Sequence, residues 1–260
     1  MKGLRTITFM LIGTVCISIA SCKKEKETDT PIAVKKEVPE KILLQNSITA
    51  ATLGTVDLTY NVNMNISRLL LTVRGSSLDY KMNYNPNESL NTVSEATATG
   101  TRLYNFDYSS SGILNRFVQN DNGVLDTTEI NYLASSNTYV LQSTQTRIIL
   151  DANDDVTKIE NWFFGIDIDL TYVNNKDGVF ANVNLDPSVV IFINNTNLYS
   201  LYYLFLHQKQ ITSLTSTNNT NSTLYNFQDY IKDDKGNITS FQYSEPTDTP
   251  TNCSINYIAP

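Results

Sequence analysis

The 260-residue chain predicts an all-β fold: a mostly antiparallel sheet of successive hairpins, curved or wrapped, with one short helical insertion near 197–207. Three observations predict it. Apolar and polar residues alternate, most clearly from Trp162 to Tyr172, where even positions are apolar and Gly165, Asp167, Asp169 and Thr171 interrupt them. Period two puts the two sets on opposite faces of a strand, and one wet face implies an antiparallel sheet. A strand–turn–strand unit also recurs along the chain. Finally, 15 Tyr, many Asn, Thr and Ser, and a charged fraction of 17% suit pleated surfaces joined by polar turns.

The chain opens with MKGLRTITFMLIGTVCISIASC. Lys2 and Arg5 precede an apolar run from Ile7 to Ile19, which is of signal-peptide length and short of the roughly 20 residues a spanning helix needs. Ile19-Ala20-Ser21-Cys22 resembles a bacterial lipobox. The resemblance implies that residues 1–21 are a leader cleaved between Ser21 and Cys22. It also implies that Cys22 carries diacylglycerol, whose chains hold the protein to a membrane at about 0.8 kcal/mol per buried CH₂. An ordinary signal peptide with an incidental cysteine is the alternative. Residues 22–44 comprise this cysteine and a charged, aperiodic stretch (KKEKETDTPIAVKKEVPEKI), expected to be a disordered tether. A single β-repeat domain is expected over 45–260, enough chain for one sizeable core.

Within that domain the hairpins follow in order. Tyr80–Tyr84 and Leu90–Val93 flank NPNES; Tyr104–Tyr108 and Ile113–Phe117 flank SSSG. Arg147–Leu150 and Val156–Ile159 flank DANDD; Asp169–Tyr172 and Val179–Val183 flank VNNKDG. Tyr225–Tyr230 and Ile238–Phe241 flank IKDDKGN. The strands after the turns begin at 90, 113, 156, 179 and 238, so the first and third gaps are 23 and a unit of about that length is expected. Leu198, Leu201, Tyr202 and Phe205 stand at helical spacing. The run LYSLYYLFL also fits a buried strand; a helix plugging one end of the core is preferred.

The hairpin form Y-x-Y-D-x-x-G-x-[IL]-x-x-[IV] resembles the YD-type repeats of large secreted bacterial shells. Together with the lipobox, the tether, the Asn-rich NNKDGVF and IFINNTNLYSL, and a last hairpin ending in Tyr, the layout resembles a group of Bacteroidetes-type lipoproteins of uncharacterised function. The resemblance spans about residues 45–260. It implies a lipid-anchored place at the outer membrane, on the cell surface or the periplasmic face. It carries no catalytic residue.

Net charge is −7, and more negative once Lys2 and Arg5 leave with the leader, which opposes nucleic acid as a partner. No G-x-S-x-G, H-E-x-x-H or phosphate-binding Gly loop is present, and no cofactor or metal is expected. After Cys16 and Cys22, only Cys253 remains, so the mature domain has no internal disulfide. The single histidine, His207, falls in the apolar insertion with nothing to pair it to Cys253. Asp151, Asn153 and Asp155 imitate the start of a Ca²⁺ loop, but Val156 and Trp162 stand where Gly and Glu belong. A hairpin turn explains them, and Asp233 and Asp234 likewise. Asp167 and Asp169 share a strand face, whereas a glycosidase needs two carboxylates across a cleft. Asp126-Thr127-Thr128 matches a short O-glycosylation motif of Bacteroidetes-type secreted proteins. Trp162 and Phe163 are ligand candidates: alternation puts Phe163 opposite Trp162 and Phe164, either free to stack on a sugar or buried in a doubly covered strand. The expected function is non-catalytic, a binding or structural role in the cell envelope, with the membrane and an envelope protein or glycan as partners. A carrier of lipid or another apolar ligand, and a glycan hydrolase, are the alternatives.

Overall fold

In the computed structural model, which describes residues 36–73, 75–196, 206–245 and 248–259, sixteen strands run as one antiparallel meander. The first eight are β1 Val38–Asn46, β2 Thr52–Tyr60, β3 Ile66–Val73, β4 Ser76–Tyr84, β5 Leu90–Thr97, β6 Gly100–Tyr108, β7 Leu114–Asp121 and β8 Val124–Leu133. The rest are β9 Thr138–Leu141, β10 Thr146–Leu150, β11 Val156–Asn161, β12 Ile166–Asp177, β13 Lys209–Asn218, β14 Asn221–Lys232, β15 Ile238–Ser244 and β16 Thr251–Ile258. The expected curved sheet closes completely. Ile42 of β1 faces Val56 of β2 on one side and Ile255 of β16 on the other. Closure removes the unpaired edges of an open sheet. It also requires β1 to begin at Val38, inside the segment 22–44 expected to be tether. There Val38, Ile42 and Leu44 are buried while Glu40 is exposed, so the strand is amphipathic despite its charged setting.

A wall of this many strands encloses more space than its own side chains fill. The insertion between β12 and β13 fills it. Its helix, α1 (Pro187–Thr196), lies within the lumen, with Val189 to Ile193 all buried. Phe192 meets Tyr80, Tyr104, Phe106 and Phe117 at centroid distances of 4.7–5.8 Å, all in edge contacts. Asp186 starts the helix by accepting the Ser188 N–H at 2.6 Å, with Pro187 at the first helical position. This described helix precedes the 197–207 segment in which one was expected. Residues 197–205 lie outside the described residues, and Leu206 and His207 are not helical. Nor does 169–183 form a hairpin: β12 continues through VNNKD to Asp177, and Val179–Val183 turns toward α1.

The two ends of the barrel differ. Both barrel termini and five similar turns, at 61–65, 85–89, 109–113, 151–155 and 233–237, lie at one end, here the lower end. In each turn the first residue donates to the fifth carbonyl and accepts from the fourth N–H, as in Asp233 N–H to Asn237 O (3.0 Å) and Gly236 N–H to Asp233 O (3.1 Å). The fourth residue has positive φ each time: Met64, Glu88, Gly112, Asp154 and Gly236. A bulge in the strand register accompanies every one. The first three turns start at 61, 85 and 109, a spacing of 24 rather than 23, because Ile113 closes its turn and Leu114 opens the strand.

Facing is set by alternation, and it is apolar inside and polar outside. Outward positions pair charges across strands: Lys41–Asp57 (2.8 Å), Arg68–Asp79 (2.7 Å), Arg116–Asp107 (2.7 Å) and Arg147–Glu160 (3.5 Å). A lipid-facing barrel has the opposite arrangement, an apolar band outside and polar groups within.

Candidate functional site

At the lower end, tyrosines bind repeat to repeat. Each donates its phenol to a carbonyl at or near a neighbouring strand's start, and the first three stand just before a turn: Tyr60 to Pro39 (2.6 Å), Tyr84 to Ile66 (2.8 Å), Tyr108 to Leu90 (2.7 Å), Tyr230 to Ile211 (2.7 Å), and Tyr172 to Val156. Burial raises the pKa of all five, so they act as fixed neutral donors. Beside them is a polar cavity of about 580 Å³, lined by turn residues such as Asn87, Glu88 and Asp154 and by Asp186 and Ser188 at the start of α1. Asp186 also accepts the Leu90 N–H at 2.9 Å, so the same carboxylate caps α1 and fixes β5.

The Ca²⁺-like acids are consumed by this framework. Asp151 Oδ1 accepts from the Asn153 and Asp155 N–H groups, and its other oxygen pairs with Lys209. Asp155 accepts the Gln208 N–H at 2.6 Å, and burial pushes its carboxyl up to about 6. Among the described residues no cluster of acids, His or Cys could hold a metal ion. His207 is buried edge-on to Tyr172, and burial lowers it to about 3. Cys253 is wholly buried on β16 opposite Leu44, and burial raises its thiol pKa. Asp167 and Asp169 face outward, opposite Glu160 and Lys158, and do not line a cleft. Thr127 faces outward on β8, between Asp126 and Thr128, which face the lumen.

Trp162, Phe163 and Phe164 do not alternate as a strand, because β11 ends at Asn161 and they form the tip of an upper-end turn. All three are exposed, at 55%, 71% and 44%. The turn is rigidly held. Buried Asn161 donates to Thr144 O and Thr146 Oγ1 and accepts the Phe164 N–H at 2.8 Å. Gly165, at φ +64, leaves space that Asn219 fills: an added Cβ would lie 2.3 Å from its Oδ1. The Arg147 guanidinium lies 4.6 Å from the Trp162 ring centroid.

The upper mouth of the lumen breaks the inside-apolar rule. Glu95, Arg102 and Asp121 stand opposite one another on the inward face of β5, β6 and β7, in register with buried Tyr80. Glu95 Oε2 accepts from Tyr104 Oη (2.8 Å) and Arg102 Nη1 (3.1 Å), and Arg102 Nη2 reaches Asp121 at 2.9 Å. Glu95 and Arg102 border a cavity of about 390 Å³ that also touches Asn195 near the end of α1. Sequence reasoning missed these residues, although Arg102 shares the parity of Tyr104 and Phe106, which marks it as a charge on the apolar side.

Fold and site define a closed, filled antiparallel barrel with a charged exterior and a polar mouth. No known protein family and no curated protein matches the chain. Among solved structures, a porin-like protein from Bacteroides uniformis aligns over 85% of this chain and 98% of its own, at 14% identity and a TM-score of 0.42. A porin-like protein from Bacteroides vulgatus aligns over 86% and 99%, at 9% identity and a TM-score of 0.44. Likenesses this distant say nothing of what this chain does.

Proposed function

We propose that the protein is a lipid-anchored, non-catalytic binding protein of the cell envelope, held at the outer membrane through Cys22. The observation that carries the binding role is a closed barrel whose outside is charged and whose lumen is filled by α1. Such a body has neither the lipid-facing band of a channel nor an apolar chamber for a lipid cargo. A hydrolase gains little support, since Glu95 is tied to Tyr104 and Arg102. What the molecule offers to partners lies at the upper end: the exposed Trp162-Phe163-Phe164 tip and the polar mouth. The chain enters the barrel at the lower end, at Val38, so an anchor at Cys22 leaves the upper end free to face away from the membrane.

Metabolic labelling with an alkyne-tagged palmitate tests the anchor. Label is expected in the wild-type chain and absent from Cys22→Ala; equal labelling of both would overturn it. Crosslinking in whole cells tests the binding role. A product is expected that disappears when Trp162, Phe163 and Phe164 are all changed to Ala, with the barrel still folded.

A further inference from the structure

We propose that the upper mouth of the barrel is a binding site for a neutral saccharide. This rests on the binding role argued above and assigns it a ligand class and a place. The cavity of about 390 Å³ lies in the lower part of the small-molecule range and has room for roughly one or two pyranose rings. One wall is aromatic, formed by Tyr80, Tyr104 and Phe117. Those rings are buried and packed against Phe192, so they floor the cavity, and the polar groups around them are what can take a sugar's hydroxyls.

Those polar groups are present where folding does not require them. Most other lumen-facing positions are apolar, as with Ile42, Leu44, Val56 and Leu58, and the polar exceptions such as Thr146 and Asn161 carry no charge. Here Glu95 is 7% exposed and charged, a burial that costs free energy unless the group is paired. Among the described residues only one of its oxygens is engaged: Oε2 takes both the Tyr104 and Arg102 bonds, and Oε1 accepts none. Gln119 and Asp126 line the same cavity, and their side chains make no hydrogen bond among the described residues. Ser143 and Thr144 add hydroxyls, anchored to Thr128 and Asn195 at 3.0 and 2.8 Å.

Charge selects among polar ligands. Glu95, Asp121 and Asp126 outnumber the one cation, Arg102, so phosphates, carboxylates and uronic acids are repelled. Arg102 already spans Glu95 and Asp121, leaving its fork unavailable for an anion, while its charge opposes an amine. A neutral polyhydroxyl compound meets neither obstacle. Two donors hold the Glu95 carboxylate in place beside the cavity it lines, the preorganisation that favours a hydroxyl's hydrogen bond.

The test uses the mature protein, saturation-transfer NMR and calorimetric titration with glucose, galactose, mannose, N-acetylglucosamine, maltose, cellobiose and lactose. Saturation transfer to at least one sugar is expected. Glu95→Gln and Gln119→Ala should each weaken its binding about tenfold, the size of one lost hydrogen bond, while lower-end Asn184→Ala leaves it unchanged. Gln119 is half-buried and its side chain makes no hydrogen bond among the described residues, so its variant separates loss of binding from loss of fold. No transfer from any sugar overturns the proposal. So does binding that survives both mouth variants, or tighter binding of glucuronate or spermidine than of any neutral sugar. Palmitate labelling reads the anchor separately, so the two can fail independently.

Discussion

A tyrosine hydroxyl is the smallest unit that couples one repeat to the next. Tyr84 Oη reaches the Ile66 carbonyl across 18 residues, and both groups are shielded from water. Tyr84→Phe keeps the ring and orphans that carbonyl, so a loss of about 1–2 kcal/mol is expected by urea denaturation. A titrating residue of comparable weight is Asp155, whose folded pKa of about 6 exceeds the usual carboxylate value of roughly 3.9. Its contribution is fully present below about pH 4 and is lost as pH rises through 6. Asp155→Asn keeps an acceptor for the Gln208 N–H but cannot ionise. It should be more stable than wild type at pH 7 by about 2 kcal/mol and level with it near pH 4. His207, held near 3, acts oppositely: protonation of the unfolded chain below about 6.5 favours unfolding. Both proteins carry His207, so the difference between their denaturation curves isolates Asp155. The sequence marks these tyrosines as strand residues before polar turns. Which carbonyl each would reach depends on the stagger of strands, and no local pattern encodes it.

The five-residue turn repeats as an element, and its fourth position sets its backbone cost. Gly236, at φ +90, has nothing within 4 Å of an added Cβ, so Gly236→Ala tests conformation without steric conflict. A loss of about 1 kcal/mol is expected, since non-glycine residues in this region cost roughly 1–2 kcal/mol. Asp154 holds the same position at φ 62 and is exposed. Asp154→Gly should therefore be neutral or slightly stabilising, and thermal denaturation of the two variants should move in opposite directions. If both fell equally, the shared geometry would not be what those positions require. The turns were legible because Asn, Asp and Gly cluster between alternating segments. The helix was not. Val189 to Ile193 are buried all round, so α1 has no polar face and no 3.6-residue period to show. The helical spacing of Leu198 to Phe205 was the more visible signal, and it falls on a segment outside the described residues.

At the scale of the whole molecule, closure decides which solvent each face meets. The alternation in β1 and β16 specifies two amphipathic strands, but not that Ile42 will face Ile255 more than 200 residues later. Once it does, the parity of every strand is fixed, and the charged set is turned outward as a body. Moving that surface into lipid would bury Lys41, Arg68, Arg116 and Arg147 along with their acidic partners. At roughly 2–4 kcal/mol for each cation near the bilayer midplane, the four together cost about as much as the net stability of an ordinary domain, about 5–15 kcal/mol. The barrel wall is thus expected to stay in water, so that the proposed lipid on Cys22 is what would meet a membrane. A form lacking residues 1–21 with Cys22→Ser should remain monodisperse without detergent and leave planar bilayers silent. Stepwise conductance from that form would show that the charged face can be accommodated in lipid, and the reading of the exterior would fall with it.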